Sequence, residues 1–227
     1  MTVLHLADEG EAADLAAFLS RLLHYDRSAA VRLQAAGTAL AVFGRPPSFE
    51  VLAVRAVRLA KPYENGLDVT LDVTVSAGEL LEAVDEQPAT AGVPGAVTGP
   101  PWAGVLPPRG GWLPQPGLPA PDALRALVAA AVAEFRSRTG ELAAERRTRA
   151  ELDRIGREIW SRTVGDTGLP VRAVHAAQSL GFLRPGARSA QDAPVLFSSG
   201  PWLRLRTPYG SVALRRAGTG ALGLSVR

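Results

Sequence analysis

Four arginines bracket one tight turn late in the chain: Arg204 and Arg206 precede Thr207-Pro208-Tyr209-Gly210, and Arg215 and Arg216 follow it. Proline second and glycine fourth in that tetrapeptide suit a type I turn, so 202–206 and 211–215 read as the arms of a hairpin. A guanidinium is always charged, weakly hydrated and forked, which fits it to grip phosphate or carboxylate oxygens. Arg172, His175 and Gln178 lie together on a segment, 170–182, that Pro170 opens and that turns Val171, Val174, Ala177 and Leu180 to one side as a helix would. A polar helix beside a basic hairpin could meet a nucleic acid, arginine on phosphates and Gln or Arg on base edges. The bland alternative is that Arg204 and Arg206 are the solvated side of an ordinary hairpin. Ala173, Ala176 and Ala177 favour it, because they are too short to read bases.

Other chemistry is thin. Arg146, Arg147, Arg149, Arg154 and Arg157 form a second basic cluster, but Glu145, Glu151, Asp153 and Glu158 interleave with it, the pattern of a salt-bridged solvent face. His5, His24 and His175 share no metal-ligand spacing, and there are no cysteines, so no metal or cofactor site is expected and thiolate catalysis is excluded. His24-Tyr25-Asp26 sits where a helix ends, and the helix dipole alone accounts for a histidine there. Asp68 and Asp72 fall on one side of a strand roughly 13 Å apart, too far to act as a pair. No phosphate-binding loop, dinucleotide fingerprint, nucleophile elbow or H-E-x-x-H motif is present. An enzyme would need a pocket at Arg109, a cation held rigidly between Pro108 and Gly110.

The elements that must position these residues follow from periodicity and caps. Thr2–Leu6 reads as a strand, and Asp8 with Glu11 opens an amphipathic helix over about 9–25. Val31–Ala35 and Ala39–Phe43 flank a turn at Ala36-Gly37-Thr38. Phe49–Ala60 is a buried strand, and Leu67–Ser76 alternates strictly between apolar and polar residues. Asn65-Gly66 predicts that these last two pair antiparallel. Ser76 and Glu79 cap a short helix over about 77–85. Two further helices are expected at 122–140 and 141–163, before the one that begins at Pro170.

Between the two sets lies a Pro/Gly-rich strap, 88–121. It carries Trp102, Leu106, Trp112 and Leu113, and an exposed linker would leave their apolar area in water, so it is expected to be ordered and docked. The predicted class is therefore α+β. A mostly antiparallel sheet with flanking helices fills 1–87, the strap follows, and 122–227 is a three-helix plus β-hairpin part whose element order is similar to winged-helix DNA-binding modules.

Charge divides the chain. Residues 1–120 hold 8 basic and 13 acidic side chains and residues 121–227 hold 17 and 9, so the net +3 conceals halves of opposite sign. Such asymmetry bears on partners. It points first to an anionic partner for the second half, DNA foremost, through Arg172, Gln178, Arg204, Arg206, Arg215 and Arg216. It points second to a protein–protein or self-association module, a homo-oligomer joined by opposite charges, and only third to an enzyme. The longest apolar run, Ala126–Ala133, falls far short of the roughly 20 residues of a membrane span, and no signal-peptide pattern opens the chain. A cytoplasmic protein that does not engage membranes is the expectation.

Three stretches, Ala13–Leu19, Pro107–Trp112 and Gly200–Gly210, give the chain a resemblance to a family of uncharacterised actinobacterial proteins, which implies no activity, cofactor or site. A fainter resemblance, carried by the strand-to-helix join Val73–Leu81, is to half of a DNA clamp.

Overall fold

The Asp8 carboxylate accepts a 2.9 Å hydrogen bond from the Glu11 N–H and so starts helix α1, Glu9–Tyr25, as the pair predicts. The computed structural model that shows this describes residues 2–60, 71–185 and 193–216. Strand β1, Val3–His5, precedes α1, and β2, Ala30–Ala36, turns back as β3, Ala39–Gly44. Next come β4, Leu52–Arg58, and β5, Leu71–Ser76, which runs into α2, Ala77–Glu82, through the Ser76 cap. Two short strands, β6 (Val84–Asp85) and β7 (Thr90–Gly92), complete a three-stranded sheet of order β1-β7-β6.

The second half supplies β8, Leu113–Gln115, then α3, Pro121–Gly140, α4, Arg149–Trp160, and α5, Val171–Ser179. It ends in β9, Val195–Ser199, β10, Trp202–Thr207, and β11, Gly210–Arg215. Eight strands from both halves form one antiparallel sheet of order β5-β2-β3-β4-β11-β10-β9-β8. The seam is β4 against β11, where Leu52, Ala53 and Val54 stand opposite Ala213, Val212 and Ser211. The molecule is thus α+β, with a large antiparallel sheet and five α-helices among the described residues.

Three sequence expectations are corrected. Residues 67–76 do not pair with 49–60: β5 pairs with β2, Val73 opposite Leu33, because β3 and β11 already occupy both sides of β4. The Asn65-Gly66 turn lies outside the described residues. The helix expected over 141–163 starts only at Arg149, where the Thr148 hydroxyl accepts from the Glu151 N–H at 3.3 Å. Residues 143–150 before and across that start are exposed and offer no apolar stripe to hold a helix. The 202–215 hairpin is not a projecting wing. Its strands are paired on their outer sides too, β11 with β4 and β10 with β9, which sets it in the interior of the sheet.

Strand alternation gives that sheet two different faces. On one, Leu203, Leu205, Val212 and Leu214 join the main core with Phe18, Leu22, Val174 and Ala177 from the helices. On the other, Leu52, Trp202 and Ala213 pack against Trp102, Leu106 and Trp112 of the strap. Past β7 the strap meets the β5 edge, where the Val97 N–H donates to the Thr74 carbonyl, and it reaches the far edge as β8, so it spans the sheet. Each docked indole contributes roughly 2 kcal/mol or more at about 25 cal/mol per Å² of apolar area removed from water.

Gly210 shows how tightly the hairpin meets the helix side. Its φ is +152°, and a Cβ there would stand 2.5 to 2.7 Å from three atoms of the buried Phe182 ring. Gly210→Ala should therefore cost about 2–4 kcal/mol, the sum of overpacking and backbone strain, read as a fall in the denaturant midpoint at unchanged m-value. At Gly37, φ +59° with no neighbour within 4 Å among the described residues, alanine should cost less than half as much.

Candidate functional site

Arg204 and Arg206 stand opposite Ala213 and Ser211, and Arg215 opposite Trp202, so all three arginines point to the strap side of the sheet. Arg204 is half-buried: its Nε donates to the Ser211 hydroxyl at 2.9 Å and its guanidinium lies 5.7 Å from the Trp112 ring centre. Arg206 is exposed, 5.4 Å from the centre of the Phe197 ring. Burial first, and the neighbouring Arg206 charge second, push the Arg204 guanidinium below its ordinary range. Among the described residues no carboxylate comes within 4.0 Å of Arg204, Arg206 or Arg215. Like charges packed side by side without a counter-ion raise the energy of the unliganded face, and an incoming anion relieves it.

Toward the other edge the same face is neutralised. Arg32 grips Asp72 with two bonds, 2.7 and 2.9 Å, and also donates to the Ala103 carbonyl of the strap. The Arg32 hydrogen bond, with smaller help from Gln34 and Arg109, holds the Asp72 carboxyl below its usual range.

The remaining sequence candidates lie elsewhere. Arg172 and Gln178 belong to α5, which packs on β10 and β11 from the helix side, so the sheet separates them from Arg204, Arg206 and Arg215. Val171, Ala173, Val174, Ala176 and Ala177 of α5 are buried, making it a core helix. Arg172 pairs with Glu50 at 3.5 Å, and the Gln178 Oε1 is buried without a hydrogen-bond partner among the described residues. His175 stacks on Trp160, ring centres 4.7 Å apart, and meets Phe49 edge-on; burial pushes its imidazole down. Arg216 is exposed and folds back to donate to the Gly200 carbonyl at 3.0 Å. The structure brings together three of the six arginine and glutamine candidates and leaves Arg172, Gln178 and Arg216 out.

The cluster on α4 is salt-bridged as the interleaved charges predict. Glu158 meets Arg138 at 2.7 Å, and Arg162 and Arg154 at 3.5 and 3.6 Å, while Glu134 takes Arg162 at 2.5 Å. The Arg138 bond first holds the Glu158 carboxyl down at about 2, against an ordinary 4.5. A carboxylate lowered on folding stabilises fully above its unfolded value and loses that contribution as pH falls toward the folded one. The melting temperature of Glu158→Gln should thus lie slightly below wild type at pH 7, with the gap closing between about pH 4.5 and 2. The groups are exposed, so the gap is small and shrinks with salt.

The opposite charges of the two halves partly meet inside the chain, for Arg184 pairs with Asp14 at 2.6 Å and Arg172 with Glu50. Among the described residues, no group of three or more His, Asp or Glu is placed to hold a metal, and no helix is long and apolar enough to cross a membrane. An open cleft of about 690 Å³ lies between the strap and one end of the sheet, but Arg109 is not in its lining.

The family model of one domain of unknown function (DUF8010) matches residues 1–104, and that of another (DUF8185) matches residues 107–219. The chain carries two domains of unknown function in tandem. No curated protein matches it. The two matches meet within the strap, whereas the sheet continues from one into the other across β4 and β11. DUF8185 contributes Arg204, Arg206, Arg215 and Trp112, and DUF8010 contributes Leu52 and Trp102 to the apolar patch beside them.

Proposed function

We propose that this protein is a binding module and that the strap side of its sheet, at Arg204, Arg206 and Arg215, receives a nucleic-acid strand. One observation carries the reading: three arginines share one face and, among the described residues, none has a carboxylate partner, while Arg32 on the same face is fully engaged by Asp72. The DNA partner read from the sequence narrows to a single strand. A helix or a free two-stranded ribbon can enter a major groove about 12 Å wide, but interior strands of a broad sheet cannot. Single strands lie across sheet faces, with cations on phosphates and bases against aromatic rings, and Trp112 and Phe197 flank these arginines.

Fluorescence anisotropy with a labelled single strand of about 15 nucleotides tests it. Three arginine–phosphate contacts give a log–log salt slope near −2, so affinity should fall roughly 15-fold between about 50 and 200 mM salt. A duplex of the same length should bind more weakly. No binding at low salt, or a preference for duplex, overturns the reading.

Self-association is the second reading, and the observation favouring it is Leu113, 65% exposed on the edge strand β8. An apolar strand edge can pair with another copy. A dimer formed there would persist at high salt in light scattering.

A further inference from the structure

The structure assigns a second binding site, for a small molecule, to the cleft between the strap and the end of the sheet, and its chemistry is that of a flat ring carrying a single phosphate. The volume, about 690 Å³, falls within the range that small-molecule sites occupy. Its lining gathers residues from four separate segments: Asp26 and Ser28 after α1, Arg45 after β3, Ser76 at the end of β5, and Thr98 and Trp102 from the strap.

These side chains are mostly donors. Arg45 is exposed, and among the described residues no carboxylate comes within 4.0 Å of it, although Asp26 shares the cleft. The Ser76 Oγ accepts the Glu79 N–H at 3.4 Å, leaving its own proton to donate, and Thr98 adds a second hydroxyl. Asp26 uses Oδ1 to hold the Ser28 N–H and hydroxyl at 2.9 and 2.7 Å, so Oδ2 remains for a hydroxyl or amino group of the ligand. A guanidinium with hydroxyl donors and one available acceptor suits an oxyanion joined to a body with donors of its own. Trp102 brings an aromatic residue to the lining, and its packing against the cluster of Leu52, Trp202 and Ala213 holds it in place before a ligand arrives. A nucleoside monophosphate has this combination of parts. The site does not depend on the arginine face, since none of Arg204, Arg206 or Arg215 lines it.

Calorimetric titration with adenosine monophosphate, with tryptophan emission followed in parallel, tests the assignment. Binding should quench emission, and adenosine alone and inorganic phosphate alone should each bind about tenfold more weakly or worse. Arg45→Gln, a surface change that leaves the fold intact, should weaken the nucleotide about tenfold, and Trp102→Phe should reduce the quench. Arg204→Gln/Arg206→Gln should bind it as wild type does. Absence of binding at millimolar nucleotide overturns the assignment. So does binding that survives Arg45→Gln, binding lost in the Arg204/Arg206 variant, or an Arg45-dependent site that accepts a 5′-phosphorylated oligonucleotide but no mononucleotide.

Discussion

Replacing Arg204 and Arg206 together by glutamine should lower affinity for a single-stranded oligonucleotide at least about tenfold at low salt and reduce the log–log salt slope by about 1.4. The figure follows from two phosphate contacts, each contributing about 0.7 to the slope for single strands. Loss should be uniform across base sequences, because phosphate contacts position a strand without reading it. Folding should survive: Arg206 is exposed, and glutamine at 204 can still reach toward the Ser211 hydroxyl that Arg204 now holds at 2.9 Å. The control is Arg172→Gln, which removes a cation from the helix side of the sheet and should leave affinity and slope unchanged. Equal losses in the two variants would mean that net charge, and not the strap face, attracts the strand.

Among the charged residues described, Arg55→Ala should be the most destabilising single change. Arg55 lies in the centre of β4 with its side chain only 6% exposed, and it donates to the Tyr209 carbonyl at 2.8 Å, to Glu11 at 2.9 Å and to Asp14 at 3.2 Å. It thereby ties α1 and the β10–β11 turn to one strand. Removing one partner of a buried ion pair costs about 3–5 kcal/mol. The lower end applies, because Glu11 keeps Arg58 at 2.7 Å and Asp14 keeps Arg184 at 2.6 Å, so neither carboxylate is stranded. For a chain of this size about 3 kcal/mol lowers the melting temperature by roughly 6–12 °C. Arg58→Ala removes an arginine that touches the same Glu11 but is 70% exposed, and solvent screening should leave its melting temperature close to wild type. If the two variants melt together, Arg55 is not the tie that its contacts describe.

What the sequence disclosed and what it concealed divide by the range of the interactions. Caps and turns are local: Asp8 with Glu11, Ser76 with Glu79, and Pro208 with Gly210 act over three residues, and each one marks an element boundary in the structure. Thr148 with Glu151 carries the same signal, and the arginine-rich stretch before it masks the helix start. The seam between β4 and β11 joins residues from opposite ends of the chain, and no pattern within either strand names its partner. Consequently the hairpin was legible but its place inside a shared sheet was not, and α5 could not be assigned to a face. Strands β8 and β9 escaped for a related reason. Leu113-Pro114-Gln115 holds a proline that argues against a strand except at an edge, which is where it lies. The candidate site was half legible: the residue types named the chemistry, but alternation along paired strands decided that Arg204, Arg206 and Arg215 act together without Arg172 and Gln178.

Arginine footprinting reaches the central proposal most directly. The folded protein is treated with an arginine-selective dicarbonyl reagent, with and without a saturating single-stranded oligonucleotide, and modification is read at each residue by mass spectrometry. Protection concentrated on Arg206 and Arg215, with Arg204 following, is the predicted result, while Arg136 and Arg157, exposed on α3 and α4, keep reacting. Protection falling on the α3 and α4 arginines, with Arg206 and Arg215 still reactive, would contradict it.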